Sequence, residues 1–264
     1  MSIEKIKTII RKEWADVFKH RLVLLSMLFI PVAFTTVPVA ALMVTGAAQI
    51  GEVGKELAAQ ASPICPPGLT ALQCYQLQVL NQFMLLFMFT PLILPVTIAA
   101  YSIVGEKTTH SLEPILATPI TTIELLVGKN LAAAIPATIG TWFGFLIYVA
   151  AAGLLMGLPL ARALPSQAVW WVALLLIGPQ LSILSVNFAM MVSSRVNEPH
   201  VAEQLSALVV LPLLLIFFGQ VGGLIILDRS LILQLAVGLV GVDGLLFYLA
   251  VRVFDRETIL SRWR

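Results

Sequence analysis

The stretch VLNQFMLLFMFTPLILPVTIAAYSIV, residues 79–104, decides the fold class of this chain. It contains no acidic residue and no Lys, Arg or His. A helix needs about 20 mainly apolar residues to cross the hydrocarbon core of a bilayer. A backbone inside lipid must also satisfy its own hydrogen bonds, which a helix does without a partner strand. Residues 79–104 therefore predict a membrane-spanning helix.

The rest of the chain repeats this pattern. Apolar residues make up 59% of the sequence and charged residues only 11%, which is far from the composition of a soluble globular domain. None of the apolar stretches alternates as a strand of a membrane barrel does. We therefore expect an all-α integral membrane protein with six transmembrane helices. The predicted spans are Leu22–Val44, Val79–Val104, Asn130–Met156, Ala168–Val192, Val201–Leu227 and Leu231–Phe254.

Basic residues set the expected orientation, because cytoplasmic loops of membrane proteins are enriched in Lys and Arg. The pieces predicted to be outside keep only Lys55, Arg162 and Arg229. We therefore expect a protein of the cell (inner) membrane with both termini cytoplasmic. The membrane explains the basic excess, so no nucleic-acid partner is expected. The expected parts are a cytoplasmic interfacial helix (1–21), a six-helix domain (22–254) and a cytoplasmic tail (255–264).

The N-terminal segment, Ser2–Arg21, has the pattern of an amphipathic helix. Charged residues such as Lys12 and Glu13 lie mainly off its apolar stripe. Such a helix can lie in the membrane interface, with its basic residues near anionic head groups. The alternative is a solvated leader that only fixes the topology. The apolar stripe consists of Ile3, Ile6, Ile10, Trp14, Val17 and Phe18.

The longest outer loop, residues 45–78, contains both cysteines within CPPGLTALQC. The Pro-Pro-Gly run bends the chain and can bring Cys65 and Cys74 together. A disulfide is permitted if the loop lies outside the cytoplasm. The alternative is two unpaired thiols in a mobile loop.

A charged stretch, GEKTTHSLEPILATPITTIELLVGK, occupies residues 105–129 between the second and third spans. It is not a phosphate-binding loop, because Glu106 separates Gly105 from Lys107 and a membrane span precedes it instead of a strand. The histidines lie on three different segments and give no metal-ligand spacing. We expect no catalytic residue, no metal site and no cofactor in this chain.

The same stretch has the features of a docking element. Thr121 and Glu124 form a capping box, which predicts that a helix begins near Thr122. Pro119 breaks the chain just before it. A short exposed helix with Leu112, Ile115 and Leu116 on one side suits insertion into a groove on a partner.

Residues 105–129 resemble the cytoplasmic signature of the ABC type-2 export permeases. That pattern reads roughly R-E-K-E-x-G-T-x-E-x-L-L-x-T-P, followed by an acidic residue and G-K. Ser111 stands for the usual threonine, while Gly105, Thr108, His110 and Pro114 depart from the pattern. The arrangement of the whole chain, with six spans and a glycine-interrupted connection between the last two, is also similar. The matching residues are Glu106, Lys107, Glu113, Leu116, Thr118, Pro119, Glu124, Gly128 and Lys129.

The resemblance implies the membrane subunit of an exporter. A soluble ABC ATPase, two copies per complex, would bind ATP and Mg and dock on residues 105–120, the coupling helix. The permease would form a homodimer, or a pseudo-dimer with a related permease, and would move a substrate out of the cytoplasm. The expected docking residues are Glu106, Lys107, Ser111, Leu112, Glu113, Ile115, Leu116, Thr118 and Pro119.

Four polar residues of the predicted fourth, fifth and sixth spans are candidates for a transport path. An ionised Asp243 at the bilayer centre would cost about 2.5–3.5 kcal/mol, so it should contact a substrate or ion or bond to a neighbouring helix. Asn187 and Gln180 share one face of the fourth span, where hydrogen bonds between helices are the favoured interpretation. Gln220 is the fourth candidate. Two rival hypotheses are an ion-coupled secondary transporter that uses Asp243, and a membrane-embedded enzyme or assembly scaffold.

Overall fold

The computed structural model describes residues 2–19, 21–48, 69–108, 120–222, 224 and 229–254. Every regular element within these ranges is a helix. The helices are α1 (Ile3–Val17), α2 (Arg21–Ala48), α3 (Ala71–Gln82), α4 (Met84–Phe87), α5 (Thr90–Thr108), α6 (Thr122–Met156), α7 (Leu158–Ser166), α8 (Ala168–Val172), α9 (Gly178–Ser193), α10 (Pro199–Ser206), α11 (Leu211–Val221) and α12 (Arg229–Val253). A π-helical turn, Ala173–Ile177, joins α8 to α9, and a 3₁₀ turn, Ala207–Val210, joins α10 to α11.

Five helical stretches in the described ranges are long and apolar enough to cross a membrane. Three of them are made of two or more of these helices in succession. All five coincide with the second to sixth predicted spans, so this is a multi-pass membrane protein. The first predicted span falls on α2, in which a shorter apolar stretch, Leu24–Ala40, stands out. The count of six spans remains a prediction. The five stretches are Gln73–Glu106, Thr122–Leu155, Ala168–Ser193, Pro199–Val221 and Ser230–Val253.

The stretch that decided the fold class also forms the centre of the bundle. In Gln73–Glu106, 78% of the most apolar window is buried, against 11% in each of the last two stretches. α5 packs against α2, α6, α9 and α10, which leaves little of its surface open. A helix that is apolar all round lies in the core of a protein or spans a membrane. By contrast, α11 and α12 carry exposed apolar side chains on the outside of the bundle.

Aromatic side chains fix the end of the bundle that lies far from α1. The rings of Phe145 and Trp170 lie 5.0 Å apart, and those of Tyr148 and Trp170 lie 5.6 Å apart. The Tyr148 hydroxyl donates to the carbonyl of Leu80 at 3.1 Å, and Trp170 Nε1 donates to Asn81 Oδ1 at 2.9 Å. These bonds fall just before the break between α3 and α4, so the aromatic cluster holds the irregular part of the central span in place.

Two helices extend into the predicted outer loop, which is therefore shorter than residues 45–78. α2 continues to Ala48, and α3 begins at Ala71. Thr70 and Gln73 form a reciprocal capping box at which α3 begins. This box was not predicted from the sequence, because other polar residues surround it. Cys74 lies in α3 and is disulfide-bonded. Its predicted partner Cys65 lies outside the described residues.

α1 packs against α5 and α6, with a buried face that differs from the predicted stripe. Glu13 was expected outside the apolar stripe but is buried. Ile9 is buried as well, whereas the predicted stripe contained Ile10 instead. Ile3 and Phe18 remain 80% and 48% exposed. The placement of α1 at the membrane interface remains a prediction. The buried residues of α1 are Ile6, Ile9, Glu13 and Val17.

Gly128 permits the close approach of α1 to α6. A Cβ atom added at this position would lie 2.8 Å from Ile9 Cγ2 and 2.9 Å from Ile9 Cβ. Because Ile9 Cβ is fixed to the backbone, a rotamer change of Ile9 cannot relieve this contact. The helix axes can come this near only with glycine at residue 128.

We predict that Gly128→Ala displaces α1 and lowers the free energy of unfolding by about 1–3 kcal/mol, as overpacking does. Gly238→Ala is the matched control, because a Cβ there would meet no atom of the described structure within 4 Å. Thermal unfolding of the purified protein in detergent measures both. Equal midpoints for the two variants would contradict the packing described here.

Candidate functional site

A cluster of charged side chains lies where α1, α5 and α6 meet. We call it the basal cluster and define it as Lys12 and Glu13 of α1, Ser102 and Glu106 of α5, and Lys129 of α6. Its two carboxylates and two ammonium groups balance in charge. Glu106 and Lys129 are the two ends of the signature that the sequence places between the second and third spans.

Lys129 is the centre of the basal cluster. Its Nζ atom donates to Glu13 Oε1 at 2.8 Å and to Ser102 Oγ at 2.7 Å, and it lies 2.7 Å from Glu106 Oε2. Two of its donors are thus hydrogen-bonded, and Glu106 is a third, ionic partner. Lys129 is only 6% exposed, and Glu13 and Glu106 are 4% and 7% exposed. Charges this deeply buried are tolerated when each is paired and hydrogen-bonded.

The remaining contacts close the cluster. Ser102 Oγ donates to Glu13 Oε2 at 2.6 Å, so both oxygens of that carboxylate are engaged. Lys12 Nζ bonds to Glu106 and lies 3.5 Å from Glu13 Oε1, while its side chain remains 43% exposed. Ser102 and Glu106 are four residues apart on α5 and so share one helix face, which points toward α1.

The basal cluster changes the acidity of Glu13. Burial alone raises the pKa of a carboxyl, but the charge of Lys129 and the hydrogen bonds from Lys129 and Ser102 outweigh it and lower the pKa of Glu13 to about 2. Glu13 is therefore ionised at neutral pH.

A second set of contacts ties the start of α1 to α6. The Ser2 backbone N–H donates to Glu124 Oε1 at 2.7 Å, and the Thr121 N–H donates to Glu124 Oε2 at 3.1 Å. The Glu124 N–H donates to Thr121 Oγ1 at 3.2 Å, so the predicted capping box is confirmed. Trp14 Nε1 donates to the carbonyl of Ala132 at 2.9 Å. α1 is thus bonded to α6 near its first residue and again at Trp14, on either side of the contact at Gly128.

The structure describes the two ends of the predicted docking element. Glu106 lies inside the basal cluster, where its carboxylate contacts Lys129 and Lys12. The side chain of Lys107 and the whole of Ser111, Leu112, Glu113, Ile115, Leu116, Thr118 and Pro119 lie outside the described residues. Sequence reasoning missed that Glu13 of α1 completes the cluster. No local pattern indicates this, because Glu13 and Lys129 meet only after α1 packs on α6.

The four candidate path residues do not form one hydrogen-bonded group in the described part of the chain. Asn187 is fully buried, and Asn130 Nδ2 donates to its Oδ1, which joins α6 to α9. Gln180, Gln220 and Asp243 each keep one buried oxygen with no hydrogen-bond partner among the described residues. Asn187 thus links two helices, although its own Nδ2 has no hydrogen-bond partner among the described residues. The role of all four residues in a transport path remains a prediction.

Comparison with known families gives a match that covers most of the chain. A family model described as ABC-2 family transporter protein matches residues 7–242. Comparison with curated proteins gives no match. The matched range includes the whole basal cluster and the stretch between α5 and α6.

We predict that Lys129→Met lowers the free energy of unfolding by about 3 kcal/mol or more, because two buried carboxylates lose their shared partner. Lys19→Met is the control. Lys19 lies 3.6 Å from Asp16 with both side chains more than half exposed, and such pairs contribute at most about 1 kcal/mol. Thermal unfolding in detergent compares the two variants. Equal losses of stability would show that the basal cluster does not hold α1 in place.

The lowered pKa of Glu13 also predicts a pH dependence. A carboxyl whose pKa is depressed on folding stabilises the protein above its unfolded pKa, about 4.5, and loses this contribution as the pH falls toward about 2. The melting temperature of the wild type should therefore fall more steeply below about pH 4.5 than that of Glu13→Gln. Parallel curves for the two proteins would contradict the ionised pair.

Proposed function

This chain belongs to the ABC-2 transporter permease family, and we propose that it is the transmembrane subunit of an ATP-driven exporter. Members of the family are membrane transport components that normally work with an ATPase subunit. In this proposal the soluble partner binds ATP and Mg²⁺ and docks on residues 105–120. Its conformational cycle moves a substrate out of the cytoplasm through the membrane helices.

One observation carries the proposal: the two helices that flank the docking segment, α5 and α6, are joined to each other through one buried group. Glu106 ends the central span and Lys129 lies near the start of the next, and their charged atoms are 2.7 Å apart. This contact fixes the end of α5 to the first turns of α6. A displacement of residues 107–120 by the ATPase is therefore transmitted to α5 and α6 together.

The direction of that transmission follows from the packing. α5 belongs to the most buried span and contacts α2, α6, α9 and α10. Interiors of proteins are close-packed and pass on small displacements. A displacement at the end of α5 is therefore transmitted to most of the bundle. α1 moves with it, because Glu13 and Ser2 bond to the same two helices.

The docking residues divide into two groups under this proposal. Glu106 anchors the N-terminal end of the segment, because its carboxylate already contacts Lys12 and Lys129 of the same chain. Contact with the ATPase is left to the middle of the segment, where apolar side chains fill a groove and charged ones orient it. The middle group consists of Lys107, Ser111, Leu112, Glu113, Ile115, Leu116, Thr118 and Pro119.

The proposed assembly has two permease halves and two ATPase copies in the cell membrane, with both termini of each permease in the cytoplasm. The exposed apolar side chains of Ile3 and Phe18 support a position of α1 at the interface with lipid. The largely uncovered α11 and α12 leave apolar surface for lipid or for the second half.

Asp243 supports a second candidate, an ion-coupled transporter, because one of its oxygens is buried without a hydrogen-bond partner in the described part of the chain. An ion carrier usually needs further polar ligands around such a carboxylate. No basic residue pairs with Asp243 in that part of the chain. The family membership favours ATP as the energy source.

We predict that Glu113→Lys and Leu116→Asp each reduce co-purification of the ATPase with the tagged permease by about tenfold. A buried charge or a reversed one in a docking groove costs more than 1.4 kcal/mol, which is a factor of ten in affinity. Mild-detergent purification followed by mass spectrometry measures the ratio of the two subunits.

Glu198→Lys is the matched control, since Glu198 is exposed and lies on a different connection of the chain. It should leave the ratio unchanged, and the wild type should carry one ATPase per permease. An unchanged ratio in all three variants would show that residues 105–120 do not dock an ATPase. Absence of any ATPase from the wild type, with crosslinking in whole cells also negative, would overturn the proposed function.

A further inference from the structure

A second polar site lies away from the basal cluster, in a cavity of about 250 Å³ between α5 and α10. One part of its wall is apolar and includes Ile93, Val96 and Val210. Another part is polar and includes His200 and Glu203, three residues apart on α10. The cavity therefore offers an apolar surface next to a carboxylate.

The carboxylate of Glu203 is only partly satisfied. Thr97 Oγ1 donates to Glu203 Oε1 at 2.7 Å. The other oxygen, Oε2, has no hydrogen-bond or ion-pair partner among the described residues. Glu203 is half-buried, and no Lys or Arg of the described chain lies within ion-pair distance of it. This differs from the basal cluster, where each carboxylate meets an ammonium group.

The position of Glu203 makes this imbalance costly. Thr97 precedes Glu106 by nine residues on α5, which is about 13 Å at 1.5 Å per residue. Glu203, which accepts from Thr97, therefore lies away from the basal cluster, within the stretch Pro199–Val221 that is long and apolar enough to cross a membrane. An acidic side chain within a span marks a pathway or a binding site.

The rim of the cavity is polar and open. His200 is exposed, its ring packs edge-to-face on Tyr101 at 5.9 Å, and the Tyr101 hydroxyl lies 3.4 Å from His200 Nδ1. Tyr101 fixes the position of His200 without closing the cavity. A ligand can therefore reach Glu203 from the head-group side, while the apolar wall accepts the part of the ligand that lies deeper.

We propose that this cavity binds a cationic amphiphile, with its positive group beside Glu203 and its apolar part against Ile93, Val96 and Val210. As a statement about cargo, this inference rests on the proposed function, of which it names the substrate class. A larger cavity of about 340 Å³ near Met88 and Leu213 has an almost wholly apolar lining and cannot select by charge. At Glu203, by contrast, charge complementarity identifies the occupant.

The test uses the full-length permease in lipid nanodiscs and radiolabelled decyltrimethylammonium below its micellar concentration. Equilibrium dialysis against empty nanodiscs separates binding from partition into lipid. We expect saturable binding at one site per permease, with an affinity about tenfold lower in Glu203→Gln, which keeps the acceptor for Thr97 and removes the charge. Glu198→Gln, the same change at an exposed position outside the cavity, should bind as the wild type does.

Competition tests the same inference without a variant. Unlabelled decyltrimethylammonium should displace the label, and decyl sulfate, which has the same chain and the opposite charge, should not. Equal affinity in Glu203→Gln, equal displacement by decyl sulfate, or no saturable binding would each overturn the proposal. ATPase co-purification is scored on the same preparations. Loss of the ATPase partner with cation binding intact would defeat the proposed function and leave this site standing.

Discussion

The burial of the Lys129 ammonium group is the constraint on which the end of the bundle beside α1 depends. A lysine this deeply buried must find partners for its charge and for its hydrogen-bond donors. Glu13 and Ser102 accept its hydrogen bonds and Glu106 lies within ion-pair distance, so two other helices supply the partners. Each of the three segments contributes a charged side chain to this group. α1, the end of α5 and the start of α6 therefore form one unit, and Gly128 beside the lysine gives α1 the room to enter it.

This unit changes how the signature between the second and third spans is understood. The residues at its two ends contact the chain itself, and Glu124 serves both as the capping residue of α6 and as the acceptor for the N–H of Ser2. Such residues position the segment instead of contacting a partner. Our proposal therefore assigns docking to the middle of the signature, and assigns to its two ends the transfer of movement to the membrane helices.

The two polar sites described here differ in how the charge of their carboxylates is compensated. The basal cluster has as many cationic as anionic groups, and Glu13, Glu106 and Lys129 are buried, which is typical of a structural site. Glu203 has a hydroxyl partner, no cationic partner in the described chain, and an adjoining cavity. In the basal cluster the chain itself supplies the cationic partners, and at Glu203 our proposal assigns that role to a ligand.

The sequence by itself determined the membrane class, the location of the second to sixth spans, the capping box at Thr121 and the family, because these depend on composition and on contacts between residues close in the chain. It did not determine that Glu13 is buried, that Glu106 faces inward, or that Glu203 borders a cavity. Each of these depends on which helix packs beside which, and residues such as Glu13 and Lys129 are 116 positions apart. A hydrophobic pattern shows which residues avoid water, but in a chain that is apolar almost throughout it does not show which helix will cover them. Only the packing of α1 and α10 against α5 settled that choice.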